Sequence, residues 1–129
     1  REMRRGVSAT GELDPRAVWE RYADLSEWKG WSPQIRWVDA SGDRLASGLT
    51  GTVHGQLGVT ADFEVLSVDE ALRTWSWRAR SGPVELLLHH AVLAHEGGSQ
   101  ATLEINGPAP AVLAYAPVAE VALRRLVRP

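Results

Sequence analysis

The chain has 129 residues, 44% of them hydrophobic and 23% charged, a size and composition that suit one domain spanning 1–129 and exclude a disordered chain. Fourteen basic and sixteen acidic residues leave a formal charge of −2, without the basic footprint that nucleic-acid binding requires. There is no cysteine, which excludes disulfides, thiolate catalysis and cysteine-ligated metals.

No apolar run approaches the roughly 20 residues needed to cross a bilayer, and no apolar segment follows Arg1–Arg5, so a cytoplasmic chain without membrane insertion is expected. Six tryptophans against one phenylalanine and two tyrosines imply either an aromatic core or a lined cavity.

Residues 3–13 mix small, polar and β-branched side chains and predict a strand, weakened by Gly6 and Gly11. Asp14-Pro15 is a helix start, because aspartate caps free N–H groups and proline at the first position loses no bond. Ala17, Val18, Tyr22 and Leu25 then repeat at helical spacing and predict a helix over 15–24. Ser26 is expected to cap a further short turn through Glu27 to Gly30, ended by Pro33.

From Ile35 the period changes to two. Strands are predicted over 35–38, 49–55, 59–69, 73–80, 84–95 and 100–106, separated by turn-forming glycine, proline and aspartate. Gly48, Gly51, Gly55 and Gly58 are the expected places for the sheet to bend. From 111 onward Val112, Ala116, Ala119, Leu123 and Leu126 share one helical stripe, with Pro117 expected to kink this helix or mark its start. Glu120 stands four residues before Arg124, a favourable helical pair. The order is strand, two helices, six strands, helix. Short connections imply an antiparallel sheet, and the class is α+β, with a curved sheet of about seven strands around a C-terminal helix.

Several segments carry a resemblance to a known family: Pro15-Arg16-Ala17-Val18-Trp19, Asp24 through Trp28-Lys29-Gly30-Trp31-Ser32-Pro33, Phe63-Glu64-Val65 with Val68-Asp69, Arg73 through Arg78, and Gly97-Gly98-Ser99. In this order they resemble the SRPBCC superfamily of START-like, helix-grip proteins, and more narrowly the polyketide cyclase/dehydrase family, over essentially the whole chain. The chain departs from that pattern in a short final helix carrying Pro117 and in the lack of a matched catalytic set.

The resemblance implies a pocket between sheet and helix for a small hydrophobic or aromatic molecule, with no cofactor. An empty cavity of roughly 300 Å3 would cost about 7 kcal/mol, comparable to the stability of a small domain, so a guest is expected. The in-phase strand residues are its expected walls: Phe63 and Val65, then Trp75 and Trp77. Leu86, Leu88, His90 and Val92 follow on the next strand, and Leu103 and Ile105 on the last. Tyr115, Ala116, Ala119 and Leu123 are the expected lid. The competing reading is that these side chains simply fill a core.

His90 is in phase with Leu86, Leu88 and Val92 and points inward, where a neutral imidazole could move a proton. His90 and Tyr115 are thus the candidate catalytic pair. His89 and His95 lie about 20 Å apart along a strand, and no metal-ligand spacing occurs. The absence of a convergent acid–base set favours a carrier or binder. The alternative is a cyclase or dehydratase acting on a polyketide-like substrate by positioning and proton transfer.

Overall fold

Stretches of period two pair with their neighbours in the chain. The computed structural model describes Arg1–Pro129. Its elements are β1 (Glu2–Gly11), α1 (Pro15–Ala23), α2 (Trp28–Trp31), β2 (Ile35–Ala40), β3 (Thr50–Gly55), β4 (Thr60–Asp69), β5 (Thr74–Ser81), β6 (Val84–His95), β7 (Gly98–Pro108) and α3 (Ala109–Leu126). All seven strands form one antiparallel sheet in the order β1-β7-β6-β5-β4-β3-β2. The two helices between β1 and β2 link opposite edges of that sheet. α3 packs chiefly on β1 and β7, α1 on β6 and β7, and α2 on β2. The expected class and element order hold.

Local chemistry explains the helix boundaries. Asp14 Oδ1 accepts from the Arg16 N–H at 2.8 Å, and Pro15 occupies the first helical position. The next turn, Leu25–Glu27, is capped by Asp24 rather than by Ser26. The Asp24 carboxylate accepts from both the N–H and the hydroxyl of Ser26 at 3.0 and 2.7 Å. Asp24 keeps extended backbone, as a cap must, whereas Ser26 already lies inside the turn.

α3 decides between the two alternatives for Pro117, which lies inside the helix and does not mark its start. It starts at Ala109 and continues through Pro117 to Leu126. Proline removes the bond to the carbonyl four residues earlier, here that of Leu113. Leu113 and Pro117 are both exposed, so water can serve that carbonyl. The Glu120–Arg124 pair forms at 3.2 Å. Arg21 fastens the far end of α3 by donating from Nη1 to the carbonyls of Arg125, Leu126 and Arg128 at 3.0, 3.1 and 2.9 Å.

Register slips interrupt the sheet between Ile35 and Trp37, opposite Gly55, and between Val65 and Ser67. Gly51 is required because a Cβ there would run into the Asp39 carbonyl and the Phe63 ring. Gly58 holds a positive φ of 76° in the β3–β4 connection.

Candidate ligand-binding site

The interior between sheet and helices has two ends. One is solid. Trp28 rises from α2 and meets Phe63, Trp75 and Trp77 with ring centroids 5.4 to 5.7 Å apart. Tyr22 of α1 packs edge-on against Trp31, Trp75 and His90. The rings pack this end closely: Trp28, Trp31, Trp75 and Trp77 leave only a cavity of about 20 Å3 among them, and Trp77 also borders the space at the other end. Edge-to-face and offset ring pairs gain from the quadrupole of the rings as well as from burial.

His90 is locked in this cluster. Its ring stacks on Trp75 at 4.4 Å and 8°. Trp77 Nε1 donates to His90 Nε2 at 2.9 Å, and His90 Nδ1 lies 3.0 Å from the Tyr22 hydroxyl. An indole N–H only donates, so Nε2 accepts, the proton sits on Nδ1, and the Tyr22 oxygen accepts it. Burial lowers the His90 pKa to about 3, helped slightly by His89, so the ring is neutral near pH 7. Burial likewise raises the Tyr22 phenol, with a smaller contribution from Tyr115. With both nitrogens already engaged, His90 has no free atom to offer a substrate.

The other end is open. A pocket of about 400 Å3 lies between β3, β5, β6 and the β3–β4 connection. Its apolar walls include Val53, Trp77, Ala79, Leu86 and Leu88. Gln56, Val59 and Thr60, all exposed, form its mouth. From the helices only Tyr115 reaches it, and burial pushes the Tyr115 phenol up to about 12, which keeps it a neutral donor. Inward of this pocket lies the cavity of about 20 Å3, with Gln34, Ile35, Trp77 and Tyr115 common to both. No Asp, Glu, Lys or Arg lines either space. Larger depressions of about 440 and 620 Å3 lie elsewhere on the surface, and charged side chains line both: Lys29, Asp39 and Asp43 in the first, Arg4, Arg5, Glu104 and Glu120 in the second.

Of the residues expected to line a cavity, Trp77, Leu86, Leu88 and Tyr115 border the outer pocket. Trp75, His90, Leu103, Ala119 and Leu123 border the inner cavity. Phe63, Val65, Val92, Ile105 and Ala116 are buried and border neither. The four strand residues share the inward face of the sheet but lie where helices close over it, and Ala116 is part of the α3 layer that does so. Gln34, Val53, Gln56, Ala61, Ala79 and Val84 also line the outer pocket, and the sequence did not single them out. Alternation puts Ala61 in phase with Phe63 and Val65, Ala79 with Trp75 and Trp77, and Val84 with Leu86 and Leu88, whereas Gln34, Val53 and Gln56 are brought to the pocket only by the fold.

The polyketide cyclase / dehydrase and lipid transport family matches residues 7–129. No curated protein sequence matches the chain. Crystal structures with the same fold include ginseng major latex-like protein 151 from Panax ginseng, with a TM-score of 0.81 and 12% identity, covering 97% of this chain and 95% of that one. Ara h 8.0201 superposes with a TM-score of 0.77 at 10% identity, covering 98% of this chain and 95% of that one. Hypothetical protein jhp0584 from Helicobacter pylori gives a TM-score of 0.74 at 14% identity, with 98% and 86% covered. No helix is long and apolar enough to cross a membrane.

Proposed function

Because this chain belongs to the polyketide cyclase / dehydrase and lipid transport family, we propose that it binds a small, uncharged hydrophobic or aromatic molecule in the outer pocket. The observation that carries this reading is an apolar pocket of about 400 Å3 with no charged side chain in its lining. Ligand sites of this size are mostly apolar with a few placed polar groups, and a buried ionised ligand would find no countercharge here. A naphthalene-sized guest burying about 250 Å2 of apolar surface gains about 6 kcal/mol, offset by lost translational and rotational freedom. For a guest of that size the affinity is therefore no tighter than tens of micromolar, on the order of what about 6 kcal/mol supplies before that offset.

Titration with the neutral fluorophore N-phenyl-1-naphthylamine tests this. Saturable binding is expected, with affinity weakened at least about ten-fold by Ala79→Phe, which fills the pocket from β5. Absence of saturable binding, or binding indifferent to Ala79→Phe, rejects the site.

The rival reading, a cyclase or dehydratase, rests on Tyr115, which borders both cavities as a neutral donor. His90 contributes nothing to it beyond packing, since its nitrogens are taken. Under that reading Tyr115→Phe lowers turnover of a polyketide-like substrate by about 100-fold while binding persists.

A further inference from the structure

The six tryptophans differ in what their indole N–H reaches. Trp19 donates to Glu70 Oε1 at 3.1 Å, Trp28 to the Tyr22 carbonyl at 2.8 Å, Trp31 to the Arg21 carbonyl at 3.0 Å and Trp77 to His90 at 2.9 Å. Trp37 is 47% exposed and has solvent. Trp75 is 1% exposed, and its N–H has no partner. One other buried side-chain polar atom is equally unpaired, the Gln34 carbonyl oxygen, Oε1. Buried polar groups are nearly always hydrogen-bonded, so each such orphan calls for a partner.

Both orphans belong to residues that line the same cavity of about 20 Å3, at the inner end of the outer pocket. That space accommodates about one oxygen atom with its hydrogen. The hydroxyl-bearing Ser32 and Tyr115 also border it, and its two fully buried unmatched groups are one donor, the indole, and one acceptor, the amide oxygen. A hydroxyl satisfies both, accepting from the indole and donating to the amide oxygen. An ether or ketone satisfies only Trp75. A carboxylate cannot donate and would be buried with no cation beside it. A methyl satisfies neither.

We propose that this inner cavity anchors the hydroxyl group of an uncharged aromatic or aliphatic ligand whose apolar body lies in the outer pocket. The hydroxyl oxygen accepts from Trp75 Nε1 and its proton goes to Gln34 Oε1. This assignment rests on the outer pocket being the binding site, and it adds the polar group by which a ligand is selected and oriented.

The test compares 2-naphthol with 2-methylnaphthalene, the same ring bearing a hydroxyl or a methyl. In a wholly apolar pocket the methyl compound, being less well hydrated, binds tighter. Here 2-naphthol is expected to bind about ten-fold tighter, because it pairs two groups that the methyl leaves unpaired. It should also shift the Trp75 indole proton resonance, identified by its loss in Trp75→Phe. Gln34→Met keeps the volume and removes the acceptor, and it should bring the two affinities within about two-fold. Should Trp75→Phe fail to fold, Gln34→Met, at a half-buried position just ahead of β2, still decides. If the methyl compound binds as well or better, or if the preference survives Gln34→Met, the cavity holds a water only and the assignment is overturned, while the pocket stands. If neither compound binds, both readings fall.

Discussion

The two ends of the interior are built from the same strands with the same alternation, yet one is solid and the other hollow. Trp75, Trp77 and Ala79 succeed one another on one face of β5; the first packs among rings around the small inner cavity and the last borders open space. The difference comes from the opposing layer. At the solid end α1 and α2 supply Tyr22, Trp28 and Trp31, which reach the sheet and are held by their own hydrogen bonds. At the hollow end the helices supply only Tyr115. A face that is apolar by pattern becomes core or cavity according to the size of what is placed over it.

Breaking the solid end should have the largest effect. Trp28→Ala removes a side chain 1% exposed, its contacts with three rings and a 2.8 Å bond to the Tyr22 carbonyl. A loss of about 3–5 kcal/mol in chemical denaturation is expected. A truncation at the hollow end, Leu86→Ala, enlarges space that already meets solvent and should cost under about 1.5 kcal/mol, below the roughly 2–5 kcal/mol of a fully packed leucine. Equal losses would mean that the outer pocket is closed in solution.

Acid sharpens the contrast next. His90 has a folded pKa of about 3 against 6.5 unperturbed, so below pH 6.5 the unfolded chain takes up a proton that the folded chain refuses. This contribution is therefore fully present above pH 6.5 and is lost as pH falls toward 3, at up to about 1.4 kcal/mol per unit. Comparing unfolding free energies between about pH 6 and pH 4, His90→Phe should show a shallower acid loss than the parent chain. An unchanged slope would mean that the ring is already protonated in the fold.

The smallest effect on stability is expected from Ala79→Phe. It grows into the pocket rather than into packed atoms and should leave the melting free energy within about 1 kcal/mol of the parent, although it blocks the site. A large destabilisation would place Ala79 in the solid part of the interior.

The element order was legible because alternation, capping and turn residues are local: Asp14-Pro15 starts a helix wherever it stands, and Ser81-Gly82-Pro83 ends a strand. The inward aim of His90, Trp75 and Trp77 was legible for the same reason. Depth was not. Phe63 and Leu88 have the same phase, yet one lies under Trp28 and the other borders the pocket. Gln34 and Val53 gave no signal, since neither belongs to a motif and they become neighbours only when β2 pairs with β3. Pro117 left open whether the helix starts there or runs through it, because the cost of proline in a helix depends on whether the freed carbonyl meets water, which the linear chain does not record.

By itself the sequence determined which side chains face inward, since a strand's period of two and a helix's of 3.6 are properties of the backbone. Tertiary structure alone decided which of those faces touch one another, and so where the interior is full, where it is empty, and which two polar atoms, Trp75 Nε1 and Gln34 Oε1, end without partners. Filling depends on the sum of side-chain volumes brought together from distant segments, a sum that no local pattern contains.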